Sequence, residues 1–162
     1  MGFFEKDELK LLWPFYLRQV FFTIFFIYSA FYIIYLRNIE ISLFQIGLIT
    51  SISALAGVLF EVPTGAIADV FGRKFSTISG YFLSGICVTL IYFFNDFYSI
   101  ILIMFCWGAV STLISGANDA WVIDLLKSKN KKNLISSYYI KMNSFYAFGF
   151  LLSGILGSFL VK

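Results

Sequence analysis

The sequence predicts an all-α, multi-pass transmembrane helical bundle of five spans. Three observations carry this: the composition, the length of the apolar runs and the placement of the basic residues. Of 162 residues, 60% are hydrophobic and 13% charged, and the mean hydropathy is +0.87. Soluble domains carry about 25% charged residues, so most of this chain belongs in lipid. A hydrocarbon core about 30 Å thick takes roughly 20 helical residues per crossing. The length therefore accommodates five crossings with short connections, or six with strain, and leaves no room for a soluble domain, so residues 1–162 are expected to form one transmembrane domain.

The spans are expected at about 14–36, 43–68, 75–94, 97–126 and 134–161. The first opens on Pro14, whose missing N–H falls in a helical turn that has no partner to lose. It is a retained helix, because acidic residues precede it and no small-residue cleavage site follows. Residues 3–13 mix apolar and charged side chains and are expected to lie along the headgroups. The second and third spans are separated by a turn containing Gly72, Arg73 and Lys74, and the third and fourth by Asn95 and Asp96. A lysine-rich turn with Lys127, Lys129, Lys131 and Lys132 precedes the fifth. All five runs are apolar on every side, without the strict alternation of a strand, and only helices or closed barrels satisfy their backbone in lipid.

Basic residues set the orientation. Lys6, Lys10, Arg73, Lys74 and the four lysines of the 127–132 turn gather on one side, against Arg37 and Lys162 on the other. The N-terminus is expected in the cytoplasm, the C-terminus on the outer face, and the protein in the plasma membrane. The lysine-rich turn is an anchor to anionic lipid, worth about 1 kcal/mol per residue, rather than a nucleic-acid patch. A net charge of +3 is too small and scattered for nucleic acid to be a partner. There is no histidine, which excludes Ser-His-Asp, Cys-His and His-ligated metal chemistry within the chain. Cys87 and Cys106 stand singly in apolar runs and read as packing residues. No catalytic residue, metal site or cofactor is expected.

Small residues recur at four-residue spacing, the pattern by which helices in lipid approach closely. One row is Ser53, Gly57, Glu61, Gly65 and Asp69, and another is Gly108, Thr112, Gly116, Ala120 and Asp124. Ser76, Gly80 and Ser84 continue the pattern in the third span, and Gly149, Ser153 and Gly157 in the fifth. Charges inside the spans are costly, about 2.5–3.5 kcal/mol each at a helix centre, and need partners or water. Arg18, Glu61, Asp119 and Lys141 fall at a common depth of roughly 7–12 Å, counting 1.5 Å per residue from the cytoplasmic ends. One reading is a paired cluster lining a cavity open to the cytoplasm, with Glu61 or Asp119 as proton acceptor. The other has Arg18 and Lys141 snorkelling to headgroups while the acids make structural pairs.

The most specific pattern is Gly65-Ala-Ile-Ala-Asp69-Val-Phe-Gly72-Arg73-Lys74, preceded by Glu61-Val-Pro63-Thr64. Gly72 permits a tight reversal, Asp69 suits exposed helical N–H groups, and the Arg73 fork suits a carboxylate. This stretch resembles the G-x-x-x-D-x-x-G-R-K turn between helices two and three of the major facilitator superfamily. Residues 115–124, Ser-Gly-Ala-Asn-Asp-Ala-Trp-Val-Ile-Asp, look like a stretch of its bacterial branches, including drug exporters.

The resemblance implies a conformational lock of Gly65, Asp69, Gly72, Arg73, Lys74 and Asp124. In it the signature acid bears on a helix of the opposite bundle and Arg73 pairs with Asp124. Trp121 would stand beside an amphipathic substrate or in the interfacial belt. The resemblance also implies two six-helix bundles with substrate between them, of which five helices are recognised here. The function expected is proton-coupled secondary transport, export or uptake, of a small molecule by a truncated or partial chain; a truncated reading frame explains the length most simply, and a second chain, as a separate half or a second copy, is the other source of the missing helices. The alternative is a small non-transporting helical membrane protein, an interaction partner or a remnant of a permease.

Overall fold

Five helices follow the five apolar runs: α1 Lys6–Asn38, α2 Leu43–Phe71, α3 Arg73–Phe93, α4 Phe97–Ser128 and α5 Leu134–Leu160. They belong to a computed structural model that describes residues 6–160, with side chains except at 6, 7, 24–27, 29, 30 and 158–160. The expectations placed on residues 3–5, on the Lys6 side chain and on Lys162 lie outside the described residues. No strand occurs among those described, and the fold is all-α and of membrane type. Among the described residues α2, α3 and α4 are each long and apolar enough to cross a bilayer, which gives three of the five expected spans.

Local chemistry explains where the helices stop and start. After α1, Glu40 adopts φ 66° and the Ile41 N–H reaches back to the Leu36 carbonyl at 3.0 Å, which closes the helix with a left-handed residue. Asn130 does the same after α4, with φ 55° and Lys131 N–H bonded to the Leu126 carbonyl at 2.9 Å. Ser42 and Gln45 cap α2 reciprocally: the Ser42 hydroxyl accepts from the Gln45 N–H, and the Gln45 side chain accepts from the Ser42 N–H. Gly72 alone separates α2 from α3, and its φ of 92° is a conformation that side chains disfavour. Asp96 opens α4 by accepting the Ser99 N–H at 2.8 Å, and that bond holds its carboxyl below the usual carboxylate range. The capping bond is therefore present above that range and lost as pH falls through the lowered value.

One expectation is corrected. The headgroup-lying segment of residues 3–13 is, from Lys6 onward, the start of α1 itself, and the helix passes through Pro14 without ending. Glu8, Leu12, Phe15, Tyr16 and Gln19 are all buried. Their spacing of three and four puts them on one helix face, and a proline removes only one backbone bond, so burial of that face outweighs the loss.

The chain forms two compact units, residues 36–124 and residues 1–35 with 125–162. In the first, the two small-residue rows meet. Gly108 of α4 lies against the Ser53 backbone of α2, Thr64 bonds Thr112 at 2.9 Å, and Phe60 packs edge-on against Phe105. α2 and α4 therefore run in the same direction. α3 runs against them: Arg73 at its start meets Asp124 near the end of α4, whereas Ser76 and Gly80, further along α3, meet Leu113 and Ile114, earlier in α4. In the second unit α1 and α5 are parallel, with Glu8 beside Lys141, Tyr16 between Tyr138 and Phe145, and Gly149 against Thr23.

A Cβ on Gly108 would overlap the Ser53 carbonyl oxygen, which as backbone cannot step aside, whereas one on Gly85 meets nothing within 4 Å. Gly108→Val should therefore cost about 1–3 kcal/mol, typical of overpacking, while Gly85→Ala should be neutral or slightly stabilising. Thermal unfolding of both variants in the same detergent checks this; equal melting temperatures would contradict the seam.

Candidate functional site

The hairpin between α2 and α3 is built by a one-residue link. Because Gly72 reverses the chain at once, Arg73 stands at the first position of α3 and projects towards the last turns of α4. Its Nε lies 3.2 Å from Asp124 Oδ2, so the structure brings these two residues together. Their side chains are 37% and 55% exposed, and an ion pair so open contributes at most about 1 kcal/mol. Its value is positional: it ties the turn to a helix two elements later. Asp69, Lys74 and half-buried Trp121 line the same broad depression of about 810 Å³, beside Phe71 and Phe75. Gly65 is exposed on α2, one turn before Asp69, and a Cβ there would meet nothing within 4 Å.

A narrower groove of about 190 Å³ runs from this depression between α2 and α4. Glu61, Asp69 and Arg73 line it together with Thr112 and Ser115. Pro63 sits inside α2 at this level, and the Thr64 hydroxyl covers the local backbone by bonding to the Phe60 carbonyl at 2.7 Å. Glu61 is exposed. Asp119 is also exposed and accepts from the Asn118 amide at 3.3 Å. Among the described residues no cation forms an ion pair with Glu61, Asp69 or Asp119.

The remaining two ionisable residues of interest belong to the other unit. Arg18 is half-buried, and its Nη2 donates weakly to the Gln19 side chain at 3.4 Å. Lys141 is buried and ion-paired with Glu8. Glu8 was missed by the sequence reading, as were Tyr16 and Ser137. Glu8 is fully buried, accepts from the Tyr16 hydroxyl at 2.6 Å and from the Ser137 hydroxyl at 3.3 Å, and faces the Lys141 ammonium. A usable signal was present: Glu8, Leu12, Tyr16 and Gln19 share a face, so an acid stands in line with a buried stripe. Among the described residues no group of His, Cys, Asp and Glu could hold a metal ion.

Comparison with known proteins agrees with this geometry. The family model described as Major Facilitator Superfamily matches residues 19–161. An uncharacterized MFS-type transporter of Bacillus subtilis (strain 168), YxaM, is 34% identical over 96 residues, which is 59% of this chain and 24% of that protein. An uncharacterized MFS-type transporter of Methanocaldococcus jannaschii is 23% identical over 127 residues, covering 78% of this chain and 32% of its own length. An uncharacterized transporter of Buchnera aphidicola subsp. Schizaphis graminum is 31% identical over 110 residues, 68% of this chain and 27% of that one. The chain thus spans about a quarter to a third of the curated relatives it matches. No solved structure matches. With its membrane-type helices, its signature hairpin and a family match along most of its length, the chain belongs to the Major Facilitator Superfamily.

Proposed function

We propose that the chain is the N-terminal part of a secondary transporter in the plasma membrane, with α1 to α5 as five successive spans. One observation carries the reading: the hairpin arginine reaches Asp124 and leaves Asp69 exposed beside it. The helix directions support alternating crossings, since α2 and α4 run together, α3 opposes them, and α1 and α5 are parallel. The N-terminus is cytoplasmic by the bias of Lys10, Arg73, Lys74 and the 127–132 lysines, and the C-terminal end of α5 is outward.

Carboxylates exposed on apolar helices are expensive in lipid, so the faces bearing Glu61, Asp69 and Asp119 must be covered by protein or lie on water. A second set of helices, from the rest of a longer protein or from another chain, meets that requirement and encloses a small-molecule path. Transport in this reading couples to protons, with Glu61 and Asp119 as acceptors and Trp121 in the wall beside them. The hairpin acts as a lock between transport states: it stabilises one of them without carrying the fold.

Substrate flux into membrane vesicles tests the lock. Arg73→Ala and Asp124→Asn should each lower the rate up to about fivefold, equivalent to roughly 1 kcal/mol of barrier, with the amount of folded protein unchanged. Exchanging the charges, Arg73→Asp with Asp124→Arg, should recover part of the rate. Full rates in both single variants would refute it.

Coupling is tested separately by the pH dependence of the same flux. Glu61→Gln or Asp119→Asn should flatten the response to an imposed pH difference while leaving flux down a substrate gradient. A pH response unchanged in both removes protons from the mechanism.

A further inference from the structure

A fully buried carboxylate calls for a physical reason, and among the described residues three donors meet Glu8. The Tyr16 and Ser137 hydroxyls converge on Oε1, and the Lys141 ammonium takes Oε2. The donors come from two helices whose contact does not depend on Glu8: Tyr16 packs between Tyr138 and Phe145, and Gly149 lets α5 close on Thr23. Two hydroxyls and an ammonium aimed at one point are the complement of a carboxylate, through charge-assisted hydrogen bonds. Glu8 itself reaches this point from the far side of Pro14. That proline has no N–H to give to the Lys10 carbonyl, so residues 6–13 join the rest of α1 through a weakened turn. Well-packed apolar side chains would fill a seam at least as stably as a buried ion pair, so stability alone does not account for one here.

We propose that Tyr16, Ser137 and Lys141 form a carboxylate-binding site that the chain fills with its own Glu8, which makes the segment ahead of Pro14 a tethered ligand latched to α5. The carboxylate neutralises Lys141 and selects the docked position, whereas Leu12, buried on the same segment, adds apolar contact that no particular partner is needed to satisfy. Without the acid, the three donors remain as a vacant site for a small carboxylate, and the segment is released towards the interface that its mixed composition suits. The site and the latch hold whether or not the protein moves a solute.

The test uses the full chain in phospholipid nanodiscs, with acetate as the probe against chloride at equal ionic strength. Glu8→Ala should lower the melting temperature, and acetate should restore it, while the wild type and the Glu8→Ala/Lys141→Met double variant ignore acetate. Amide hydrogen exchange separates the latch from the site. Exchange of residues 6–13 should rise about tenfold or more in Glu8→Ala and stay raised in acetate, because that ligand carries no tether. Exchanging the pair, Glu8→Lys with Lys141→Glu, should return exchange to slow values. An acetate response equal in wild type and Glu8→Ala, or one that survives loss of Lys141, overturns the site; unchanged exchange at residues 6–13 overturns the latch. Should Glu8→Ala not fold, it is prepared in acetate and the ligand dialysed away, and exchange is also read in Glu8→Gln, which keeps the volume and loses the charge.

Discussion

Hydrocarbon forms no hydrogen bonds, so every polar group in this chain must find its partner inside the protein or face something that is not lipid. The side chains resolve this in graded ways. Many hydroxyls fold back on their own helix, as Thr50 does to Ile46, Ser51 to Gly47, Thr89 to Gly85 and Ser144 to Ile140. A few cross between helices, such as Thr64 to Thr112 and Ser76 to the Leu113 carbonyl, and these tie helices for a net gain of about 1 kcal/mol or less each. Full charges take the remaining routes. Glu8 and Lys141 neutralise one another in the α1–α5 seam, and Arg73 meets Asp124 at the hairpin. Glu61, Asp69 and Asp119 have no cation within ion-pair distance among the described residues.

Much of this was legible in the sequence because the signals were local or periodic. The five apolar runs became five helices, the rows Ser53–Gly57 and Gly108–Thr112 met as a seam, and the single glycine before Arg73 made the reversal its motif requires. What escaped was the start of α1. Composition averaged over residues 3–13 looks interfacial, yet the face defined by Glu8, Leu12 and Tyr16 is buried, and averaging hides a face. The partner of Lys141 escaped for a second reason: Glu8 is 133 positions away, and only the parallel course of α1 and α5 brings them together. Depth along separate helices grouped Lys141 with Arg18, Glu61 and Asp119; depth says nothing about which faces meet.

At the hairpin two carboxylates stand within reach of one guanidinium, and only one of them is paired with it. Asp69 ends the α2 row and Asp124 ends the α4 row, and because those helices run in the same direction both acids arrive at the same end of the seam. Arg73 could serve either, being four residues from Asp69 and one reversal from Asp124, but Gly72 turns the chain so that the guanidinium meets Asp124. The choice costs the fold little, since an exposed pair is worth about 1 kcal/mol or less on either side. It leaves Asp69 as an exposed carboxylate in a depression bordered by Lys74 and Trp121, fixed in place by a turn that has no slack. An acid so held keeps its charge facing outward, and a positive group near it gains only about 0.3–1 kcal/mol. Glu8 is the opposite case: buried, with its oxygens taken by Tyr16, Ser137 and Lys141, so its charge is spent inside the α1–α5 seam, whereas that of Asp69 is not.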